Sequence, residues 1–174
     1  MPEPTLPTPR ITLVTEAYNL AEGQSEASFV RALQTVLQIG QRYPDVEVIV
    51  LDPTHEHVAQ PILAARFPQL KALHVPGMTY DGQKNAAALA AQGEFLVYLD
   101  GDCVPQSEHW LETLLAPFEQ PHVQAVGGLT VYEGDDVTSR AMTVMDFGYL
   151  FEPNAQGHLG CYASNNVAFR RAAY

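Results

Sequence analysis

The chain is short of cations, of cysteine and of long apolar runs. Nine Lys and Arg face twenty Asp and Glu, for a formal net charge of −11. That imbalance argues against a general nucleic-acid or anionic-membrane surface. A phosphorylated ligand would therefore need positive charge supplied locally, and a metal ion is the obvious source. Cys103 and Cys161 are the only cysteines, too few for a disulfide framework or a zinc ribbon. They suit a reducing compartment. No apolar run approaches the roughly 20 residues of a membrane span. The start, Met1-Pro2-Glu3-Pro4 with Pro7 and Pro9 following, lacks the apolar core of a secretory signal. The expectation is a cytoplasmic protein with an extended, Pro-rich lead-in over residues 1–10.

What is present is a chain of 174 residues, 47% hydrophobic, enough for one domain with a substantial core. Ile11 to Thr15 reads as a first strand, and Ala17 to Gly23 as a loop. Phe29, Leu33, Val36 and Leu37 make a helical stripe within 28–39. The β-branched run Val46 to Leu51 reads as a buried strand ending at Asp52. A polar loop, 53–57, precedes a helix over 58–67 and a short strand over 72–75. Gly77 to Gly82 reads as a loop, Asn85 to Ala91 as a helix. Further strands are expected at 95–99 and 123–132, with an amphipathic helix at 107–118 between them. Residues 133–140 read as an acidic loop. Residues 142–151 fit helix or loop, and 161–170 are ambiguous. Strands alternating with helices predict an α/β fold, a mostly parallel Rossmann-like sheet with helices on both faces.

The most informative stretch is Phe95-Leu96-Val97-Tyr98-Leu99-Asp100-Gly101-Asp102. An apolar run ends abruptly in two carboxylates. Charge is costly inside a sheet, so Asp100 and Asp102 belong just past the strand's carboxyl end. Ligands bind at that end in open α/β sheets. Two carboxylates flanking a small residue can converge on one hard divalent cation, which could then hold a diphosphate. The bland alternative is a turn in which Asp-Gly supplies the bend. His55-Glu56-His57 offers only two imidazoles in a polar loop, which is weak grounds for a metal site.

Five segments, in order, resemble the family 2 glycosyltransferases of the A-type, nucleotide-diphospho-sugar transferase fold. They are Ile11–Asn19, Val46–Asp52, Gly82–Phe95, the Asp100-Gly101-Asp102 motif and Ser164–Arg171. The resemblance implies a sugar transfer from a nucleotide-diphospho-sugar donor, metal-dependent and inverting. Asp102 would ligate Mn²⁺ or Mg²⁺, and Asp100 would contact the ribose or the metal through water. Thr15 and Asp52 would line the nucleoside pocket, and Lys84 would approach the base or phosphates. The acceptor, whether sugar, lipid or protein, is not specified. Asp52 is followed by Pro53-Thr54-His55, where the family carries a second acid. The family's general base lies downstream of the Asn165-Asn166 segment, and the sequence stops at Tyr174. A donor-binding domain over 11–174, incomplete on its acceptor side, is therefore expected. Membrane association would come only through other parts of a longer parent.

Two rivals share the motif. A haloacid-dehalogenase-like phosphatase also leads an apolar strand into Asp-x-Asp, with the first aspartate as nucleophile, but at the start of its domain. A non-catalytic nucleotide-sugar-binding domain would keep the site without turnover.

Overall fold

The computed structural model describes residues 10–174 except Gln24 and Pro44. All but the last residue of the expected lead-in lies outside the described residues. Six strands form one sheet: β1 (Ile11–Glu16), β2 (Val46–Asp52), β3 (Lys71–His74), β4 (Phe95–Leu99), β5 (Ala125–Gly127) and β6 (Asn166–Arg170). Their spatial order is β3-β2-β1-β4-β6-β5. The three pairings within β3-β2-β1-β4 are parallel, and β6 runs antiparallel between β4 and β5.

The helices are α1 (Tyr18–Ala21), α2 (Glu26–Gly40), α3 (Ala59–Arg66), α4 (Tyr80–Ala90), α5 (Trp110–Leu115) and α6 (Val137–Phe147). They cover both faces, as the alternating pattern requires. On one face, Val14, Leu51, Leu96, Tyr98 and Val167 pack with Ala87 and Ala91 of α4 and its end. On the other, Phe95 and Val97 meet Leu111 and Leu114 of α5. There too, Val50 packs with Phe29 and Leu33 of α2 and Leu63 of α3. Strand residues one apart thus serve opposite layers, so a strand buried on both sides needs an unbroken apolar run.

The chain winds outward from β1 to β2 and β3, then returns across β1 to β4. The carboxyl ends of β1 and β4 therefore diverge at a topological switch point, which opens a crevice there. Glu16 closes β1 and Asp100 follows β4, so both lie at that end of the sheet.

Several expected boundaries move, each for a local reason. Helix α2 begins at Glu26 because the Ser25 side chain accepts from the Ser28 N–H. Helix α4 begins at Tyr80, five residues early, because Thr79 caps it by accepting from Gly82 N–H. The expected loop 77–82 thereby shrinks. The helix expected over 107–118 is α5 followed by a 3₁₀ turn at Ala116–Glu119, where Pro117 removes a helical donor. The acidic loop ends at Asp136, which caps α6 through the N–H groups of Thr138 and Ser139. We expect Asp136→Ala to fray α6, read as lost far-UV helicity with the sheet intact.

The strand expected over 123–132 is only Ala125–Gly127. A Cβ on Gly128 would lie 2.3 Å from Asn166 Nδ2, and that amide donates to the Leu129 carbonyl at 3.0 Å. The Asn166 side chain takes over the pairing at that point, and the chain leaves the sheet. The ambiguous C-terminal segment supplies β6, whose insertion beside β4 locks Leu99 opposite Asn166. Helix α6 buries none of its residues, and Val137, Val144 and Met145 stand exposed on it.

Candidate functional site

The crevice is built from β1, β4 and the loops that follow them. Asp100 is half-buried, and both of its carboxylate oxygens are engaged. Tyr80 Oη donates to Oδ2 at 2.6 Å, and Lys84 Nζ donates to Oδ1 at 2.9 Å. Both donors lie on α4, four residues apart, one turn of one helix face. Lys84 is buried. It also donates to the Ser164 carbonyl, and its ammonium sits 4.3 Å from the Tyr80 ring centroid and 5.4 Å from that of Tyr98. Burial, with the Asp100 charge next in weight, pushes the Tyr80 phenol far above its ordinary value. Tyr80 therefore remains a hydrogen-bond donor across the working pH range. The Asp100 backbone N–H donates to Asn165 O at 3.1 Å, so β6 holds the same turn from its other side.

Asp102 differs. It is exposed, and its one described partner is a weak contact, Cys103 Sγ to Oδ1 at 3.6 Å. Between the two carboxylates, Gly101 lies flat against β1. A Cβ there would come within 1.9 Å of the Glu16 carbonyl oxygen. The spacer must be glycine for the turn to approach β1 this closely.

The other expected residues divide. Thr15 is buried on β1, paired with Val50, one residue before the crevice. Asp52 is at the end of β2 as expected, but its carboxylate is turned into its own loop. Oδ1 accepts from the Thr54 N–H at 3.1 Å and Oγ1 at 2.6 Å, and Oδ2 accepts from the Ala59 N–H at 3.1 Å. His74 Nε2 meets Thr54 O at 2.6 Å in the same loop and stacks on His57 with ring centroids 3.5 Å apart. The histidine loop is thus braced by Asp52 at the end of β2 and by His74 on β3. Asn85 is exposed and accepts from Tyr174 Oη.

Asn166 spans the gap between β6 and α5 by accepting from Trp110 Nε1 at 3.1 Å. Asn165 accepts from Thr130 Oγ1 at 3.2 Å. Both are tied into the scaffold. Asp146 accepts from Tyr132 Oη, and Asp136 caps α6. Burial pushes the Cys103 thiol well above its ordinary value, so it is no thiolate nucleophile. Two surface grooves, of about 210 and 280 Å³, lie elsewhere, against Ile39 and Arg42 and against Leu63 and Leu70.

Tyr80 and Glu16 were missed as site residues from the sequence. Tyr80 falls in what reads as a loop between Gly77 and Gly82, so the helical spacing that pairs it with Lys84 is hidden. Glu16 has a legible signal, an acid closing a buried apolar strand, the same pattern that marks Asp100.

Among the described residues, no group of three or more His, Cys, Asp or Glu converges as a metal cage. A single open carboxylate beside a second one suits a hard cation of another kind. Mg²⁺ and similar ions commonly take one or two carboxylates and complete their shell with phosphate oxygens and water. The donor set fits a cation that arrives with a diphosphate.

An open α/β sheet with its switch point between β1 and β4 and carboxylates at the mouth defines an A-type glycosyltransferase fold. The chain belongs to glycosyl transferase family 2, whose profile matches residues 12–174. It resembles the mannosyltransferase PcManGT from Pyrobaculum calidifontis, solved with GDP-mannose and Mn²⁺, with a TM-score of 0.69 at 22% identity. That match covers 99% of this chain and 47% of the other. S. aureus TarS aligns with a TM-score of 0.61 at 17% identity, covering 94% of this chain and 47% of that one. It has also been solved with UDP-GlcNAc. The 4-diphosphocytidyl-2C-methyl-D-erythritol synthase of Anaerococcus prevotii aligns at TM-score 0.59 and 15% identity, over 95% of this chain and 71% of its own. The chain spans about half the length of the first two. No curated protein matches the sequence.

Proposed function

We propose that this domain binds a nucleotide-diphospho-sugar and supports an inverting, metal-dependent transfer of its sugar to an acceptor. The observation that carries this reading is the contrast between the two aspartates. Asp100 is clamped by Tyr80 and Lys84, while Asp102 stands open beside it at the sheet's switch point.

In this reading Asp102 holds Mn²⁺ or Mg²⁺, and the clamped Asp100 faces the ribose or a metal-bound water. Thr15 lines the nucleoside pocket. Asp52 shapes the same pocket by fixing the 53–59 loop. Lys84 acts mainly through Asp100, because its ammonium is already committed there. The cation, when bound, offsets the negative charge that grows on the departing nucleoside diphosphate. Lys84 is already paired with Asp100, which leaves the cation as the main source of that compensation in this reading. The neighbours' ligands, GDP-mannose and UDP-GlcNAc, support a nucleotide-sugar donor of this class. No described helix is long and apolar enough to cross a membrane. A cytoplasmic setting, where nucleotide sugars are at hand, accords with the reading.

Family membership and the clamp on Asp100 both speak against the phosphatase alternative. A nucleophilic Asp100 would have to free one of its two engaged oxygens, and its strand is fourth in the chain.

Calorimetric titration of GDP and UDP, with and without Mn²⁺, tests the proposal. We expect Mn²⁺ to tighten binding of at least one of them. We expect Asp102→Asn to remove about tenfold or more of that gain while leaving the melting temperature near wild type. A folded wild-type protein that binds no nucleoside diphosphate would contradict the reading.

A further inference from the structure

Glu16 is the last residue of β1 and only 4% exposed. A carboxylate at that depth is costly unless hydrogen-bonded. Each of its oxygens meets one backbone donor: Oε1 accepts from the Gly101 N–H at 3.1 Å, and Oε2 from the Tyr18 N–H. Those two donors lie on the two segments that frame the switch point: Tyr18 opens α1, directly after β1, and Gly101 is the centre of the Asp-Gly-Asp turn. The Glu16 backbone meets the same turn, since its carbonyl oxygen occupies the space any Cβ on Gly101 would need. Burial holds the Glu16 carboxyl above the usual range, and the charges of Asp100 and Asp102 add to that. Three carboxylates therefore share a turn in which Lys84 balances one.

We propose that Glu16 is a positioning residue that ties the Asp-Gly-Asp turn to the start of α1 and so presents Asp102 to the cation in a fixed orientation. This rests on the reading of Asp102 as a cation ligand. Glu16 does not itself touch the cation, because both of its oxygens are turned to backbone donors. A carboxylate suits the task because it accepts at both oxygens and carries no N–H of its own. Glutamine would set its amide group against one of the two N–H groups. Aspartate keeps the charge but is one methylene short of reaching both. Groups that orient a metal ligand typically change metal affinity 10- to 100-fold when replaced.

The test uses the full chain as wild type, Glu16→Gln and Glu16→Asp. GDP and UDP are titrated with and without Mn²⁺, and Mn²⁺ alone is followed by its free-ion paramagnetic resonance signal. Both variants are expected to lose about tenfold of the Mn²⁺-dependent gain, with metal-free nucleotide affinity little changed. A brace with only a structural role would weaken the metal-free and metal-dependent steps alike, and that outcome overturns the proposal. So does a gain kept by both folded variants. If Glu16→Gln does not fold, Glu16→Asp alone decides. A wild-type protein with no Mn²⁺-dependent gain overturns the proposed function itself, whereas a wild-type gain that the variants keep overturns only the role of Glu16.

Discussion

Gly101→Ala is expected to destabilise the fold by about 2–3 kcal/mol, the upper part of the usual range for overpacking. The added methyl would lie 1.9 Å from the Glu16 carbonyl oxygen, far inside contact distance. That oxygen belongs to a central strand's backbone, so no side-chain rotation relieves the clash. Either the turn lifts from β1 or β1 shifts against β2 and β4. Lifting the turn also breaks the Gly101 N–H bond to Glu16, which leaves a buried carboxylate short of a donor. The variant should therefore lose Mn²⁺-dependent nucleotide binding together with stability. Urea unfolding reads the first effect as a lowered midpoint with an unchanged slope. An unchanged midpoint would mean that the turn does not pack against β1 as described.

The second large effect is expected at Lys84. Its side chain is 8% exposed and that of its partner Asp100 is 15% exposed. Removing one member of a buried pair strands the other charge, and such losses commonly cost 3–5 kcal/mol. Tyr80 still donates to Asp100 after the change, which places Lys84→Met near the low end, about 3 kcal/mol. Asp100→Asn in the same chain should recover much of that loss, because the stranded charge is gone. A double-mutant cycle on unfolding free energies measures the coupling. Additive losses would show that the pair is not coupled. The exposed pair Arg31 and Glu133, at 59% and 85% exposure, is the natural contrast. Surface pairs of that kind contribute little.

These two residues show what was legible in the sequence and what was not. The strand ending in Asp100-Gly101-Asp102 was readable because charge after an unbroken apolar run has one plausible place, the sheet's carboxyl edge. That the sheet is mostly parallel followed from strands alternating with helices. The antiparallel β6 did not. Its pairing with β4 is a contact between segments about 70 residues apart, and nothing local in Asn166–Arg170 announces its direction. The clamp on Asp100 was hidden because Tyr80 reads as part of a glycine-flanked loop until Thr79 is recognised as a cap. Lys84 could be placed near the site but not in its role. Spacing shows that a lysine is near the crevice, not that its charge is already paired. Asp52 marks the same limit. Its position at a strand end was right, while the direction of its carboxylate depends on Thr54 and Ala59 in the loop beyond.

The most direct test of the central claim is to locate the cation. Crystals grown with Mn²⁺ and the tighter-binding nucleoside diphosphate would show the metal by its anomalous scattering. The account predicts a peak at coordination distance from the Asp102 carboxylate, bridging to both phosphates, with Asp100 still held by Tyr80 and Lys84. A peak at the His55–His57 loop, or a diphosphate bound away from Asp102, would contradict it.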